Sequence, residues 1–370
     1  MDTVKILHSA DFHIGSPRSH IGGGDTLGTF MRVCELCRSE CADLFLIAGD
    51  LFDTPYPDSA VTREVFDVIA SLPAEVVAVS GNHDFACGGS VWKSAALPRN
   101  LHLFDGELSH IDLPEINVRV FGAGFDSRYR EASFLDGFSA PHGSGIGIGV
   151  LHADISSTQS RYAPITAEQI AACGLDYLAL GHIHKRSRVE RIGKTFCSYS
   201  GAPLGRGFDE TGSHGVYIGS VGAGVCDVAY REIPNRMYLS LKIDVGGAKS
   251  SYAAADIILS AIREKYGEDF AEHLYNITLC GCAAEGAHIS AGAVRAALSD
   301  RVSYCAVTNR TSLSESEIAA ISHESSLRGI FVSKMLEKIQ GSAAEEREEL
   351  YSALRLGLDS FETEVMPDAY

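Results

Sequence analysis

Residues 44–50 read Leu-Phe-Leu-Ile-Ala-Gly-Asp: a short apolar run, a small pair and a carboxylate. A run of that length bounded by Gly predicts a buried strand, with the acid just past its carboxyl end. The same arrangement recurs on both sides. Residues 4–7 lead to Asp11-Phe12-His13, residues 76–79 to Gly81-Asn82-His83-Asp84, residues 146–151 to His152, and residues 177–180 to Gly181-His182-Ile183-His184. Residues 118–120 read as a further strand. Helical stretches are predicted between them at 64–71 and 166–173, the latter opened by Thr166 with Gln169 at capping-box spacing. Strands alternating with helices predict a layered α/β fold.

The chain has 370 residues, of which 45% are hydrophobic and 21% charged, with 37 Gly and 11 Pro. Such a composition belongs to globular proteins and excludes disordered and fibrous classes. A net charge of −17 excludes a broad, sequence-independent grip on polyanions, so any nucleic-acid contact must be local or assisted by metal. No apolar run reaches the ~18 residues of a membrane span. The amino-terminal residues read directly into a strand, and the expectation is a cytoplasmic protein without a membrane segment. The 10 cysteines do not read as a disulfide scaffold in so long a chain. Leu27, Phe30, Met31, Cys34, Cys37 and Cys41 fall at helical spacing and predict core packing, while Cys280 and Cys282 have no second pair to complete a zinc site.

Gly-rich residues 219–225 and the pair Ile233-Pro234 place a domain boundary near 234. A first domain over residues 1–233 is followed by a small α/β cap over 234–310, with strands to 245, at 275–279 and at 302–307, and helices at 253–266 and 292–298. The tail, 311–370, carries 5 Lys or Arg against 12 Asp or Glu, a net −7. Leu327, Ile330, Phe331, Met335 and Ile339, then Leu350, Tyr351, Leu354 and Leu358, predict two amphipathic helices split by Gly341-Ser342. They could pack on the body or dock a partner's helices.

The carboxyl ends of strands in an α/β sheet line one crevice, so residues distant in sequence converge there. Asp11, His13, Asp50, Asn82, His152, His182 and His184 would all meet. A single such histidine reads most simply as a packed side chain. Four His, two Asp and one Asn at five strand ends, several beside Gly, have no comparable packing explanation and point to metal ligation.

The ordered series Asp11-x-His13, Gly49-Asp50, Gly81-Asn82-His83-Asp84, His152 and Gly181-His182-x-His184 resembles the five-motif signature of calcineurin-like metallophosphoesterases. Within that superfamily, HSADFHIGSP at 8–17, LIAGDLFDTPYPDSAV at 46–61 and YLALGHIHKR at 177–186 resemble the SbcD group of DNA repair nucleases. The resemblance is strong over residues 4–235 and fades beyond. It implies a β-sandwich flanked by helices and two divalent ions, Mn²⁺ in such nucleases. One ion would take Asp11, His13 and His184, and the other Asn82, His152 and His182, with Asp50 bridging. Two ions ~4 Å apart would activate a shared water and hold phosphate oxygens. The resemblance further leaves His83 to protonate the leaving oxygen or stabilise the transition state, with Asp84 orienting it unless Asp84 is only a turn residue. Asp53 would support a ligand or merely form a turn.

From Lys185 to Arg206, the residues Lys185, Arg186, Arg188, Arg191, Lys194 and Arg206 stand against Glu190, a local +5 directly after two expected ligands. Lys185, Arg186, Arg188 and Arg206 are the expected DNA contacts, positioning phosphates without reading bases. The resemblance implies an SbcC-type, SMC-like ATPase partner and a homodimer formed near the amino terminus. Two other readings stay open: a phosphodiesterase or phosphatase for small substrates, and a non-catalytic bridge between an ATPase and DNA.

Overall fold

The structure is a computed structural model that describes residues 3–16, 25–141, 145–284, 287, 289–312 and 315–362. The chain divides into two compact units, Met1–Asn235 and Arg236–Tyr370.

The first unit holds strands β1 (Thr3–Ser9), β2 (Leu44–Ile47), β3 (Glu75–Val79), β4 (Leu101–Phe104), β5 (Ser109–Leu113), β6 (Val118–Ala123), β7 (Ile146–His152), β8 (Tyr177–Gly181), β9 (Glu190–Ile192), β10 (Thr195–Tyr199), β11 (Gly215–Gly222) and β12 (Val225–Glu232). Its helices are α1 (Thr26–Ser39), α2 (Ser59–Ala70), α3 (Val91–Ser94) and α4 (Ala167–Cys173). Two six-stranded sheets form, ordered β12-β11-β1-β2-β3-β4 and β5-β6-β7-β8-β10-β9. In the first, β1 to β4 run parallel; in the second, β6, β7, β8 and β10 do.

Strand alternation builds the layers. Val4, Ile6, Leu44, Leu46, Val77 and Val79 point to one side and meet Val118, Val120, Ile148, Val150, Tyr177 and Ala179 of the second sheet in a shared core. The intervening residues Leu7, Phe45, Ile47, Val76 and Ala78 point the other way, onto Phe30, Val33, Cys34 and Cys37 of α1 and Val65, Phe66 and Ile69 of α2. Leu151, Leu178 and Leu180 do likewise with Ile170 and Cys173 of α4. A period of two with both faces buried gives these strands their continuous apolar runs. The result is a β-sandwich flanked by helices. The expected capping box of α4 is present, Thr166 Oγ1 accepting from Gln169 N and Gln169 Oε1 from Thr166 N. Cys34 and Cys37 are buried as expected, but Cys41 is exposed, because α1 ends at Ser39 and the chain turns through a left-handed Cys41 (φ 50°).

In the second unit, β13 (Tyr238–Asp244), β14 (Leu274–Cys280) and β15 (Tyr304–Asn309) form a parallel sheet. The crossover helices α5 (Ser251–Tyr266) and α6 (Ala291–Leu298) cover one face through Ala254, Ile258, Ile262, Val294 and Leu298. Three helices follow: α7 (Glu315–Ser322), α8 (Leu327–Gln340) and α9 (Ala344–Glu362). Ile318, Ile321, Val332, Ile339, Leu354 and Leu358 form their common core. Arg355 ties α9 to the sheet unit, donating to the carbonyls of Thr311 and Ile289 at 3.2 Å each. The tail residues 363–370 lie outside the described residues. Among the described residues no helix is long and apolar enough to cross a membrane.

Candidate metal centre

Register decides which strand ends meet. Ser9 pairs Ile47, and Ile47 pairs Ala78, so the segments after β1, β2 and β3 leave the first sheet side by side. In the second sheet His152 pairs Gly181, which sets His182 beside His152. Asp11, His13, Asp50 and His182 have φ of 56°, 47°, 50° and 99°, a left-handed conformation that L-residues rarely hold outside sites where the surroundings impose it. Gly49 (φ 92°) is required for a second reason: a Cβ there would collide with the His152 imidazole.

All seven expected ligands are brought together, with His83 among them. Ligand atoms of Asp11, His13 and His184, of His13, Asp50 and His83, and of Asp11, Asp50 and His152 lie within 4.8 Å of one another in each set. Asn82 Oδ1 is 2.9 Å from His152 Nε2 and 3.2 Å from His182 Nδ1. Asp11, His13, Asp50, Asn82 and His152 are buried, while His182, His83 and His184 are half-buried at the mouth.

Ring orientation tests whether this cluster suits a cation. His13 Nδ1 donates to Asp53 Oδ1 at 2.9 Å, and His184 Nδ1 to Glu210 Oε1 at 2.5 Å. Each neutral ring then presents an unprotonated Nε2, and these face each other at 3.2 Å. His152 repeats the pattern: Nδ1 donates to the Ala48 carbonyl at 2.9 Å, and Nε2 faces Asn82 Oδ1 and, at 3.4 Å, Asp50 Oδ2. Lone pairs crowded this closely repel one another unless a positive charge sits among them. Orientation of each ligand ring by a carboxylate or carbonyl is also how proteins prepare histidine for metal. The donor set fits divalent cations.

Electrostatics agree. Burial alone would raise the Asp50 carboxyl, but His152, His13 and His83 outweigh it and leave its pKa below the usual range. Burial and His152 pull His182 down to about 4, keeping the ring neutral at pH 7. Glu210 is drawn down to about 2, its own burial overcome by the bond from His184 and by Arg206.

Residues 4–186 match the calcineurin-like phosphoesterase family. The chain carries a calcineurin-like phosphoesterase domain. Over 284 residues it is 26% identical to the uncharacterized metallophosphoesterase YhaO of Bacillus subtilis, covering 71% of this chain and 69% of that protein. It is 26% identical to the DNA double-strand break repair protein Mre11 of Methanopyrus kandleri, over 57% of this chain and 52% of that one. It is 22% identical to the SbcD component of the SbcCD nuclease of B. subtilis, over 56% and 64%. The chain thus spans about half to two thirds of the length of these two nuclease-related proteins.

Within the phosphoesterase domain two expectations are corrected. Asp84 does not orient His83: its fully buried carboxylate accepts from Gly81 N at 2.7 Å and Phe52 N at 3.2 Å, bracing the two loops. Burial and the nearby Asp50 push it up to about 7. The carboxylate beside His83 is Asp53, with Oδ1 3.6 Å from His83 Nδ1, so Asp53 serves the site rather than a plain turn. The basic cluster also divides. Arg206 reaches Asp53 at 3.3 Å, whereas Arg186 lies 3.9 Å over the Tyr230 ring and Lys185 and Arg188 are exposed.

Two residues of the site carry no sequence signal. Glu210 lies in the Gly-rich segment after β10 and has a role only because the fold returns it to His184. Tyr162 sits with its ring 4.7 Å from that of His182, from a loop with no motif of its own.

Proposed function

We propose that this chain is a two-metal-dependent DNA nuclease of DNA repair, hydrolysing phosphodiesters at DNA ends as an exonuclease and in unpaired strands as an endonuclease. The observation that carries the reading is the set of unprotonated imidazole nitrogens, Asp11, Asp50 and Asn82 crowded into one pocket at the strand ends. Asp11, His13 and His184 would hold one ion and Asn82, His152 and His182 the other, with Asp50 between them. Mixed imidazole, carboxylate and amide donors suit Mn²⁺. When bound, the ions supply Lewis acidity and lower the pKa of water.

The chain's own residues do the rest. Asp53 and Glu210 hold His13 and His184 in the tautomer that offers Nε2. His83, half-buried at the mouth, is the group in reach of a departing oxygen that can pass it a proton. Arg206, with Lys185, Arg186 and Arg188 outside it, would bind flanking phosphates. The relatives named for DNA repair and for SbcCD support DNA as the substrate. They also support an SbcC-type, SMC-like ATPase as partner, docking on the helices of residues 311–370, and the assembly proposed is a homodimer.

The test is Mn²⁺-dependent hydrolysis of linear double-stranded DNA beside bis-p-nitrophenyl phosphate, by the wild type and by His83→Gln and Asp50→Asn. The wild type should degrade both and the variants neither. Cleavage of the small diester alone, with the ATPase present, would instead identify a small-molecule or nucleotide phosphodiesterase.

A further inference from the structure

An aromatic path leaves the candidate metal centre on the side away from any expected contact. The Tyr162 ring lies against His182 at 4.7 Å, and Tyr129 lies 5.7 Å beyond Tyr162. Tyr129 is 41% exposed, one of the few large aromatic side chains of the domain left open to solvent. The Arg161 guanidinium sits 3.9 Å over its ring, and Arg128 is 6.0 Å from the same centroid.

This surface is held in place by backbone bonds. Arg130 N donates to the Arg161 carbonyl at 2.8 Å and Ala163 N to the Arg130 carbonyl at 2.7 Å, so the two loops are paired at the residues that present Tyr129, Arg161 and Tyr162. Below them Arg130 is fixed by Glu107 and by the Phe134 ring. An exposed aromatic ring with arginines at its face and edge is the chemistry that takes an unpaired base: the ring or the guanidinium plane stacks, and the cations follow the phosphates. A duplex, whose bases are already stacked on one another, has no base to offer such a ring.

We propose that Tyr129 and Arg161 form a stacking platform for an unpaired nucleobase flanking the phosphate at the metal centre, so that the domain selects single-stranded segments there. The inference rests on the nuclease reading above and names the residues that would give it strand preference.

The experiment is binding without added metal, in EDTA, by the full chain. The probes are a single-stranded oligonucleotide carrying 2-aminopurine and an abasic phosphodeoxyribose strand of equal length. The wild type should prefer the base-bearing strand and quench its fluorescence. Tyr129→Ala should weaken binding of that strand by about 5- to 150-fold, remove the quenching and erase the preference. Tyr129→Phe, which keeps the ring, should retain both. Equal affinity of wild type and Tyr129→Ala for the base-bearing strand, or equal losses on both strands, would overturn the platform while leaving the nuclease reading standing. A wild type that binds neither strand and cuts no DNA, yet hydrolyses bis-p-nitrophenyl phosphate in Mn²⁺, would overturn the nuclease reading and the platform with it.

Discussion

His184 donates its Nδ1–H to Glu210 Oε1 across 2.5 Å, although 26 residues separate them. Glu210 Oε2 also accepts the Arg206 N–H at 2.9 Å, so one carboxylate fixes both an expected ligand and the loop that carries Arg206. Arg206 in turn reaches Asp53, which orients His13. The two histidines whose Nε2 atoms face each other are thus braced through one connected loop.

Removing that brace should weaken metal binding without unfolding the domain. Glu210→Ala should lower Mn²⁺ affinity by about 10- to 100-fold, the usual cost of losing the partner of a ligating histidine. Glu210→Gln, which keeps an acceptor oxygen, should lose less. Calorimetric titration with Mn²⁺ measures both, and an unchanged affinity in Glu210→Ala would show that His184 needs no partner.

Asp84 and His83 are neighbours in sequence with opposite duties. Asp84→Ala leaves the Gly81 and Phe52 N–H groups unpaired in a buried setting, at roughly 1–3 kcal/mol each, so urea unfolding should show a clear loss of stability. His83→Gln, at a half-exposed position, should unfold within about 0.5–1 kcal/mol of the wild type yet lose turnover. Normal stability in Asp84→Ala would contradict the bracing role.

His8 lies buried between the two sheets, where its Nδ1 accepts from Tyr177 Oη at 3.0 Å and its Nε2 donates to the Leu180 carbonyl at 3.2 Å. Burial pulls its pKa down to about 3, against a weaker pull upward from Leu180. Because the folded pKa lies below the unfolded value of 6.5, the unfolded chain takes up a proton first as the pH falls. The stability from neutral His8 is therefore fully present above pH 6.5 and lost progressively toward pH 3. At pH 5 the loss should be about 2 kcal/mol. Thermal or urea unfolding of wild type and His8→Gln at pH 7.5 and 5 reads it as a smaller pH dependence in the variant; equal dependence in the two would remove His8 as the cause.

Much of this was legible in the sequence, because each ligand stands next to the apolar strand that aims it. A strand buried on both faces leaves a continuous run, and β1, β2, β3, β7 and β8 all have one. The strand β9, with Glu190 and Arg191 exposed, has no such run, and β12 is exposed along most of its length. Both form because a neighbour offers an edge, which no local pattern records. The tail shows a similar limit: helical spacing pointed to Leu327 and Ile330 as core, yet Leu327 is 76% exposed, while Val332 and Ile339 are buried. The side chains around the ligands were hardest to assign. Asp84 turns away from its neighbour His83 into backbone N–H groups, and Asp53 and Glu210 reach their histidines through the fold.

The most direct test of the two-ion centre is calorimetric titration of chelator-treated protein with Mn²⁺. Wild type should bind two ions per chain, the double variant His152→Ala/His182→Ala one, and Asp50→Asn should weaken both sites together. Fewer than two ions in the wild type, or two bound unchanged by the double variant, would contradict the assignment of the site to these residues.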